Sequence, residues 1–451
     1  MSRPHVVVVG GGLAGLSAAI ACVDAGVRVT LLEGRTRLGG ATWSTRHQDL
    51  DIDNGQHVFL RCCSAYRDFV KRLGVEERVY LQPRLAVPVI APGSARVHWL
   101  RRSPLPTPLH LAPSLLTFGH LPAKDRLRAA LTAQRLGALD LEARELDDTS
   151  FGDWLRAQGA SPRLIDGFWD LLIRPTVNLP AEDASLALAA KVVQTGLLER
   201  ADNADIGWAR EPLARVHAEP ALAELTAAGA EVRLRARVDR IESSPKGPSV
   251  WRGGERLDVD AVVLAVDHEA VPGMLDPSCG VDTEGLSALG RSPIVNLHVV
   301  FDRQVSPYEF VAAVDSPLEW IFDRTRAAGL ESGQYLAVSL SAADRWVGVS
   351  NERLSEVFLP AFVALFPEAK AARVERFFAT CERAATFRQG PHTWRHRPPP
   401  QTRSRGIVLA GAWTDTKWPA TMEGAVRSGL AGAREALLAA GVTRALPALA
   451  A

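Results

Sequence analysis

Three features of the sequence predict an α/β fold in which a nucleotide-binding domain is interleaved with an α+β substrate domain. The chain opens with "HVVVVGGGLAGLSAAIACVDAGVRVTLLEG", residues 5–34, a strand, glycine turn, helix and second strand. A helix–turn–strand pattern returns near 220–266, and a strand followed by a long helix closes the chain from 407. The stretches between these pieces read as mostly helical and then as mixed strands and helices. The expected boundaries are 1–80, 205–270 and 405–451 for the nucleotide-binding domain, and 81–204 and 271–404 for the substrate domain.

In the opening unit, apolar residues 6–9 form a strand and the Ala/Leu-rich residues 13–25 a helix. Apolar residues 27–32 form a second strand, which ends at Glu33. Gly10, Gly12 and Gly15 permit a sharp turn, a close approach of backbone to pyrophosphate, and tight helix–strand packing. The N–H groups of the first helical turn, at Leu13 and Ala14, then face phosphate, and Glu33 accepts from a ribose hydroxyl. This is a Rossmann-like fingerprint with both strands, the helix and the acid in register.

Residues 58–80 then read as helical, and "PRLAVPVIAPGSARVHWL" as short strands broken by Pro and Gly. The proline-dense, apolar residues 103–122 have two readings, a loop over the substrate domain and a membrane-touching lip. From 124 to about 198 the pattern is helical, with Ser150 and Ser161 as caps, Pro162 at a first helical position, Gly159 as a stop and Pro175 as a breaker. Phe168, Trp169, Leu171 and Leu172 read as core. A helix and glycine turn lead to a strand over 232–241, and further strands follow at 259–266, 296–301, 334–339 and 407–410. The last helix is expected from about Pro419 to Ala440.

Composition bounds the function. The chain has 451 residues, 47% of them apolar and 23% charged, with 52 basic residues against 51 acidic. That balance excludes a nucleic-acid partner. Five cysteines without metal-ligand spacing predict no metal site and a reduced, cytoplasmic setting. The first strand starts too near Met1 for a signal peptide, and no apolar run reaches the ~20 residues of a membrane span. The expectation is a soluble protein or one peripheral at the inner face of the membrane.

Two more blocks extend the nucleotide site. "RTRLGGATW" follows Glu33 and brings Gly39 and Gly40 close to the diphosphate and ribityl region of a long cofactor, FAD. The C-terminal strand–loop–helix aims a helix N-terminus at the flavin pyrimidine edge. Each block alone is also satisfied by an ordinary turn or an amphipathic helix. Their order along the chain favours one flavin. A second GxGxxG for NAD(P)H is not evident.

GGGLAG, RLGG, "DNGQHVFLRCC", "FGDWL", "FWDLLIRPTVNLPAEDASLALAAKVVQTGLL", "ADIGWAREPLARVH" and "AGAWTDTKWPATMEGAVRSG" together resemble the squalene-associated FAD-dependent hydroxysqualene dehydroxylases. These group with phytoene desaturases and flavin amine oxidases. The resemblance covers nearly the whole chain and implies the glutathione-reductase/amine-oxidase type of FAD domain. It implies FAD contacts at Gly10, Gly12, Leu13, Ala14, Gly15, Glu33, Gly34, Arg35, Gly39, Gly40, Ala41 and Thr42. Further contacts are implied at Asn54, Gly55, Gln56, His57, Val238, Gly411, Ala412, Thr421, Met422 and Glu423. Two positions depart from the family pattern: Ala41 stands where Arg is usual after the paired glycines, and Ala412 where an acid is usual. Asp415 or a backbone carbonyl would replace the second as a ribityl acceptor.

The resemblance implies reduction of hydroxysqualene to squalene, with an electron donor yet to be identified and a lipid small-molecule substrate. Loss of an allylic hydroxyl needs an acid, an apolar tunnel, and aromatic or negative surfaces facing a cation. Asp53, His57 and Asp205 are the candidates for the acid. An unperturbed His57 titrates near neutral pH, but the favoured reading has Asn54 and His57 satisfying buried backbone or flavin edges, and Asp205 also reads as a helix cap. Arg174 and Asn178 read as turn residues; Trp169, Trp208 and Trp413 read as tunnel lining or core. The rivals are a carotenoid desaturase or isomerase, a flavin amine oxidase, and a non-catalytic escort of prenylated proteins. The intact Gly10, Gly12, Gly15 and Glu33 oppose the last.

Overall fold

The computed structural model describes residues 3–94 and 96–443; the last residues of the expected 405–451 piece lie outside them. A five-stranded parallel sheet forms one layer, in the spatial order Glu231–Arg233, Arg28–Leu32, His5–Val9, Ala261–Leu264, Ile407–Leu409. Its central strands are buried on both faces, which explains their unbroken Val/Leu runs. Helix Leu13–Asp24 and the C-terminal helix Met422–Ala439 pack on one face. Their contact is close at Gly429, where a Cβ would lie 2.1 Å from the Ala14 carbonyl oxygen.

The second large sheet has seven strands in the order Val374–Thr386, Ser292–Phe301, Gln334–Leu340, Trp320–Asp323, Phe310–Ala313, Ala86–Ile90, His98–Arg101. All its pairs are antiparallel except that between Phe310–Ala313 and Ala86–Ile90. One apolar cluster lies between this sheet and the helices of 112–198, and includes Phe310, Phe322 and Trp169. A second lies on its other face against helix Asn351–Leu365.

Several local expectations hold. Ser150 and Ser161 cap their helices by accepting from the backbone N–H of Asp153 and Leu164, and Phe168, Trp169, Leu171 and Leu172 sit in or against the core.

Four expectations are corrected. Residues 58–80 are not one helix. They form strand Val58–Leu60, helix Ser64–Arg72 and a return into strand Val79–Leu81, because both strands pair with Ile206–Ala209. Residues 232–241 are not one strand. The chain turns at Arg235, whose φ is 54°, and its two ends join different sheets. Pro175 does not break its helix, which runs from Asp170 to Val177. The Thr176 hydroxyl donates to the Leu172 carbonyl there, Arg174 pairs with Asp170, and Asn178, with φ of 53°, ends the helix. The last helix begins at Met422 rather than Pro419, capped by Thr421, which accepts from the Gly424 N–H at 3.3 Å.

Candidate flavin site

Because all five strands of the first sheet are parallel, their carboxyl ends lie along one edge. That edge carries Gly10, Glu33, Ala265 and Gly411, drawn from segments far apart in sequence. Ligands bind at this edge in open α/β sheets. Helix Leu13–Asp24 starts there with no side-chain cap, so its first-turn N–H groups at Leu13, Ala14 and Gly15 are left for an external acceptor.

The Gly39–Gly40 turn closes over this helix start. The Gly39 N–H donates to the Gly11 carbonyl at 2.8 Å. Gly40 has φ of 58°, and a Cβ on it would lie 2.7 Å from the Gly12 Cα, so the approach requires glycine. Thr42 is buried and ties the turn by donating to the Gly39 carbonyl. The Ala41 carbonyl accepts from Asn54 Nδ2 at 2.8 Å.

Glu33 is buried. Its carboxylate accepts from the Gly11 N–H at 2.6 Å and the Arg35 N–H at 2.7 Å. A carboxylate has about four acceptor positions, so two remain for ribose hydroxyls. Nearby, the Arg235 and Ala236 N–H groups bond to the Arg35 and Glu33 carbonyls, and Gly34 lies against Arg237. Among the described residues the buried Val238 N–H has no acceptor, which suits the adenine contact implied for it.

The other end of the site is framed by 53–57 and 411–424. The Gly411 N–H donates to Ser428 Oγ at 2.9 Å, and the Ala412 carbonyl accepts from Arg397 at 3.2 Å. The N–H groups of Met422 and Glu423 open the C-terminal helix. Gln56 Nε2 is buried with no partner, an orphan donor beside Gly55. These unsatisfied groups and the glycine cradle fit a long, anionic dinucleotide with a polar ring edge.

The sequence did not reveal what holds this end in place. Asn296 donates to the Asn54 carbonyl at 2.6 Å and accepts from Ser339 Oγ at 2.6 Å; Ser339 in turn accepts from the Gln56 N–H at 3.3 Å. Glu382 accepts from the Trp43 indole at 2.8 Å and from Asn54 Nδ2 at 3.2 Å. The buried Glu423 carboxylate caps helix Ser64–Arg72, accepting from the Ala65 and Tyr66 N–H groups at 3.1 and 2.7 Å, and pairs with Arg427. The Glu423 carboxylate is therefore mostly taken up by the protein itself. Asp415 accepts from the Trp394 indole at 3.0 Å.

Of the three acid candidates, Asp53 and Asp205 are held in separate ion pairs, and His57 lies near the same Arg324 as Asp53. Asp53 is buried against Arg324 at 2.9 Å and accepts from Ser44 Oγ and the Leu213 N–H. Burial pushes its pKa up, while Arg324 and these donors oppose the shift. Asp205 is fully buried between Arg61 at 3.0 Å and Arg102 at 2.7 Å, and also accepts from the Leu85 N–H at 2.7 Å. It caps no helix. His57 does not carry a proton near neutral pH: burial, then the Arg324 charge, lowers its pKa to about 4.

A carboxyl outside those three candidates titrates near neutral pH instead. Burial raises Glu319 to about 7 against the pull of Arg174, 3.5 Å away, and of the Ser341 N–H. Glu319 directly precedes Trp320, which pairs with Ser339, the residue that touches Gln56. Trp320, Phe310, Phe322 and Trp208 form a connected aromatic wall. Trp169 lies in the core, and the Trp413 indole bonds to the Val266 carbonyl.

Histidines held away from water, with His5, His217 and His298 buried and His57 half-buried, give the fold an acid limit. His5 and His57 are lowered to about 4, and His217 and His298 to about 3, burial being the first cause in each. Unfolded histidines protonate near 6.5, so below that pH the unfolded chain binds more protons and stability falls with pH. Glu319 and Asp53 act oppositely, because each gains its proton earlier in the folded state. Each histidine shifted this far contributes a loss of roughly 1–2 kcal/mol by pH 5. Thermal melts are expected to show Tm falling steadily from pH 6.5 to 4.5; a flat profile would mean that these rings are solvated.

Comparison with known proteins agrees with this geometry. The profile of the flavin-containing amine oxidoreductases matches residues 13–437. Hydroxysqualene dehydroxylase of Sinorhizobium fredii is 28% identical over 450 residues, 94% of this chain and 96% of its own. The 15-cis-phytoene desaturase of Glycine max is 24% identical over 94% of this chain and 78% of its own. Among solved structures, putrescine oxidase bound to putrescine aligns over 97% of this chain and 99% of its own, with a TM-score of 0.72 and 18% identity. Cyclohexylamine oxidase of Brevibacterium oxydans has the same coverage, with a TM-score of 0.69 and 20% identity. With a nucleotide edge built for a long dinucleotide and a family profile that spans both sheets, the chain belongs to the flavin-containing amine oxidoreductases and is an FAD-dependent oxidoreductase.

Proposed function

We propose that the protein reduces hydroxysqualene to squalene. The observation that carries this reading is the similarity to hydroxysqualene dehydroxylases from three bacteria, which runs through the substrate region as well as the cofactor-binding pieces. The allylic C–O bond breaks, the hydroxyl leaves as water with an added proton, and a hydride takes its place. When bound, reduced FAD supplies that hydride.

The chain's own residues do the rest. The first-turn N–H groups at Leu13 and Ala14 bind the diphosphate, and Glu33 binds the ribose. The start of helix Met422–Ala439 favours negative charge at the pyrimidine edge. Trp208, Phe310, Trp320 and Phe322 exclude water and present ring faces to a delocalised cation. Glu319, which directly precedes Trp320 of this wall and titrates at about 7, is the group assigned to give the departing hydroxyl its proton.

The test is anaerobic. Photoreduced protein is mixed with hydroxysqualene, and flavin absorbance and squalene mass are followed together. Reoxidation with one squalene formed per flavin is expected. Reoxidation by a carotenoid or an imine, with none by hydroxysqualene, would move the protein to another branch of its family. A desaturase would instead reduce its oxidised flavin on meeting a saturated precursor.

A further inference from the structure

Residues 103–137 present apolar side chains outward in an arrangement that folding alone does not explain. Helix Ala123–Gly137 buries Asp125, Ala129, Thr132 and Leu136 and turns Leu127 and Leu131 to solvent. Asp125 is 5% exposed and Thr132 1%, whereas Leu127 is 63% exposed. Leu127 and Leu131 are four residues apart and so share one face. The segment before the helix adds Leu105, Leu109 and Leu116, the last 70% exposed. Among the described residues, five of the ten exposed large apolar side chains thus fall within 105–131.

Charge accompanies the patch. Residues 101–137 hold six basic side chains and one acid, the buried Asp125, in a chain whose totals are 52 and 51. Arg101 stacks 3.9 Å over Trp99 at the edge of the patch, an amphipathic pair suited to a membrane interface. Beneath the surface, Phe118 and Leu121 of the same segment join the apolar cluster of the substrate region. The patch is therefore the outer wall of that cluster.

We infer that this face docks on an anionic lipid bilayer, the leucines entering the acyl boundary and Lys124, Arg126, Arg128 and Arg135 meeting lipid phosphates. A two-fold dimer through the same face would set its cations against their own copies. The inference rests on the proposed function only for which lipid would cross there.

Full-length, FAD-loaded protein is sedimented with vesicles of phosphatidylcholine alone, or of phosphatidylcholine mixed with phosphatidylglycerol, in the absence of substrate. Binding to the mixed vesicles is expected, with release at high salt. The double variant Leu116→Asp, Leu127→Asp is expected to lose about tenfold or more in partitioning, while keeping its flavin and its activity on detergent-dispersed substrate. Lys124→Glu with Arg135→Glu is expected to weaken binding to the anionic vesicles alone. Failure to sediment with the mixed vesicles overturns the inference. So does unchanged binding by the leucine variant, or a solution dimer that this variant dissociates. None of these readouts uses hydroxysqualene, so failure here and failure of the functional reading are separate results.

Discussion

Gly12→Val is expected to yield folded protein without flavin. Gly12 has φ of −76° and ψ of 177°, a backbone conformation open to any residue. A Cβ there would meet only the Gly40 Cα, at 3.6 Å, an ordinary contact. The chain therefore tolerates the substitution. The cofactor does not, since the branched side chain stands over the first turn of helix Leu13–Asp24, where the diphosphate must reach the N–H groups. Each charge-assisted hydrogen bond lost there is worth about 1.5–3 kcal/mol. One or two such losses weaken binding by roughly tenfold to ten-thousandfold. The ratio of flavin to protein absorbance and a circular dichroism melt measure the two effects separately. Stoichiometric flavin in this variant would displace the diphosphate from Gly12. Gly15 is the contrasting case, because a Cβ there would sit 1.8 Å from the Gly10 carbonyl oxygen, so Gly15→Val is expected to fail at folding.

That contrast shows what the sequence made legible. The opening strand, glycine turn, helix and second strand are local, and period and turn chemistry suffice to read them. The assembly of the edge was legible too, since parallel strands must align their carboxyl ends. The reading failed where the deciding interaction is remote. Strand Val58–Leu60 is three residues long and exists because Ile206–Ala209 pairs with it. The turn at Arg235 uses a left-handed conformation at a residue that does not advertise it. Asn296 and Glu382 reach Asn54 from 242 and 328 residues away, and no spacing rule connects them. Burial misled as well. His57 looked like a titrating group because its unperturbed pKa lies near neutrality, yet its surroundings remove that property.

Where the proton comes from separates two carboxyls by experiment. Asp205 accepts from two guanidiniums and a backbone N–H at full burial, so removing its charge strands Arg61 and Arg102. Breaking a buried ion pair costs about 3–5 kcal/mol, and the partial exposure of both arginines places the cost toward the lower end. Asp205→Asn is expected to lower Tm clearly, while the folded fraction converts hydroxysqualene within a few-fold of the parent rate. Glu319→Gln is expected to do the reverse. Its carboxyl already pays a desolvation cost, which raises it to about 7, so the neutral isostere leaves Tm nearly unchanged. Without a transferable proton, the single-turnover rate should fall by roughly a hundredfold or more. The parent rate should also decline as pH rises through 7, because the protonated carboxyl is the competent form, and the Gln variant should lose that dependence. If Asp205→Asn abolishes turnover at unchanged stability, or Glu319→Gln keeps both the rate and its decline above pH 7, the proton belongs to another group and the aromatic wall acts without Glu319.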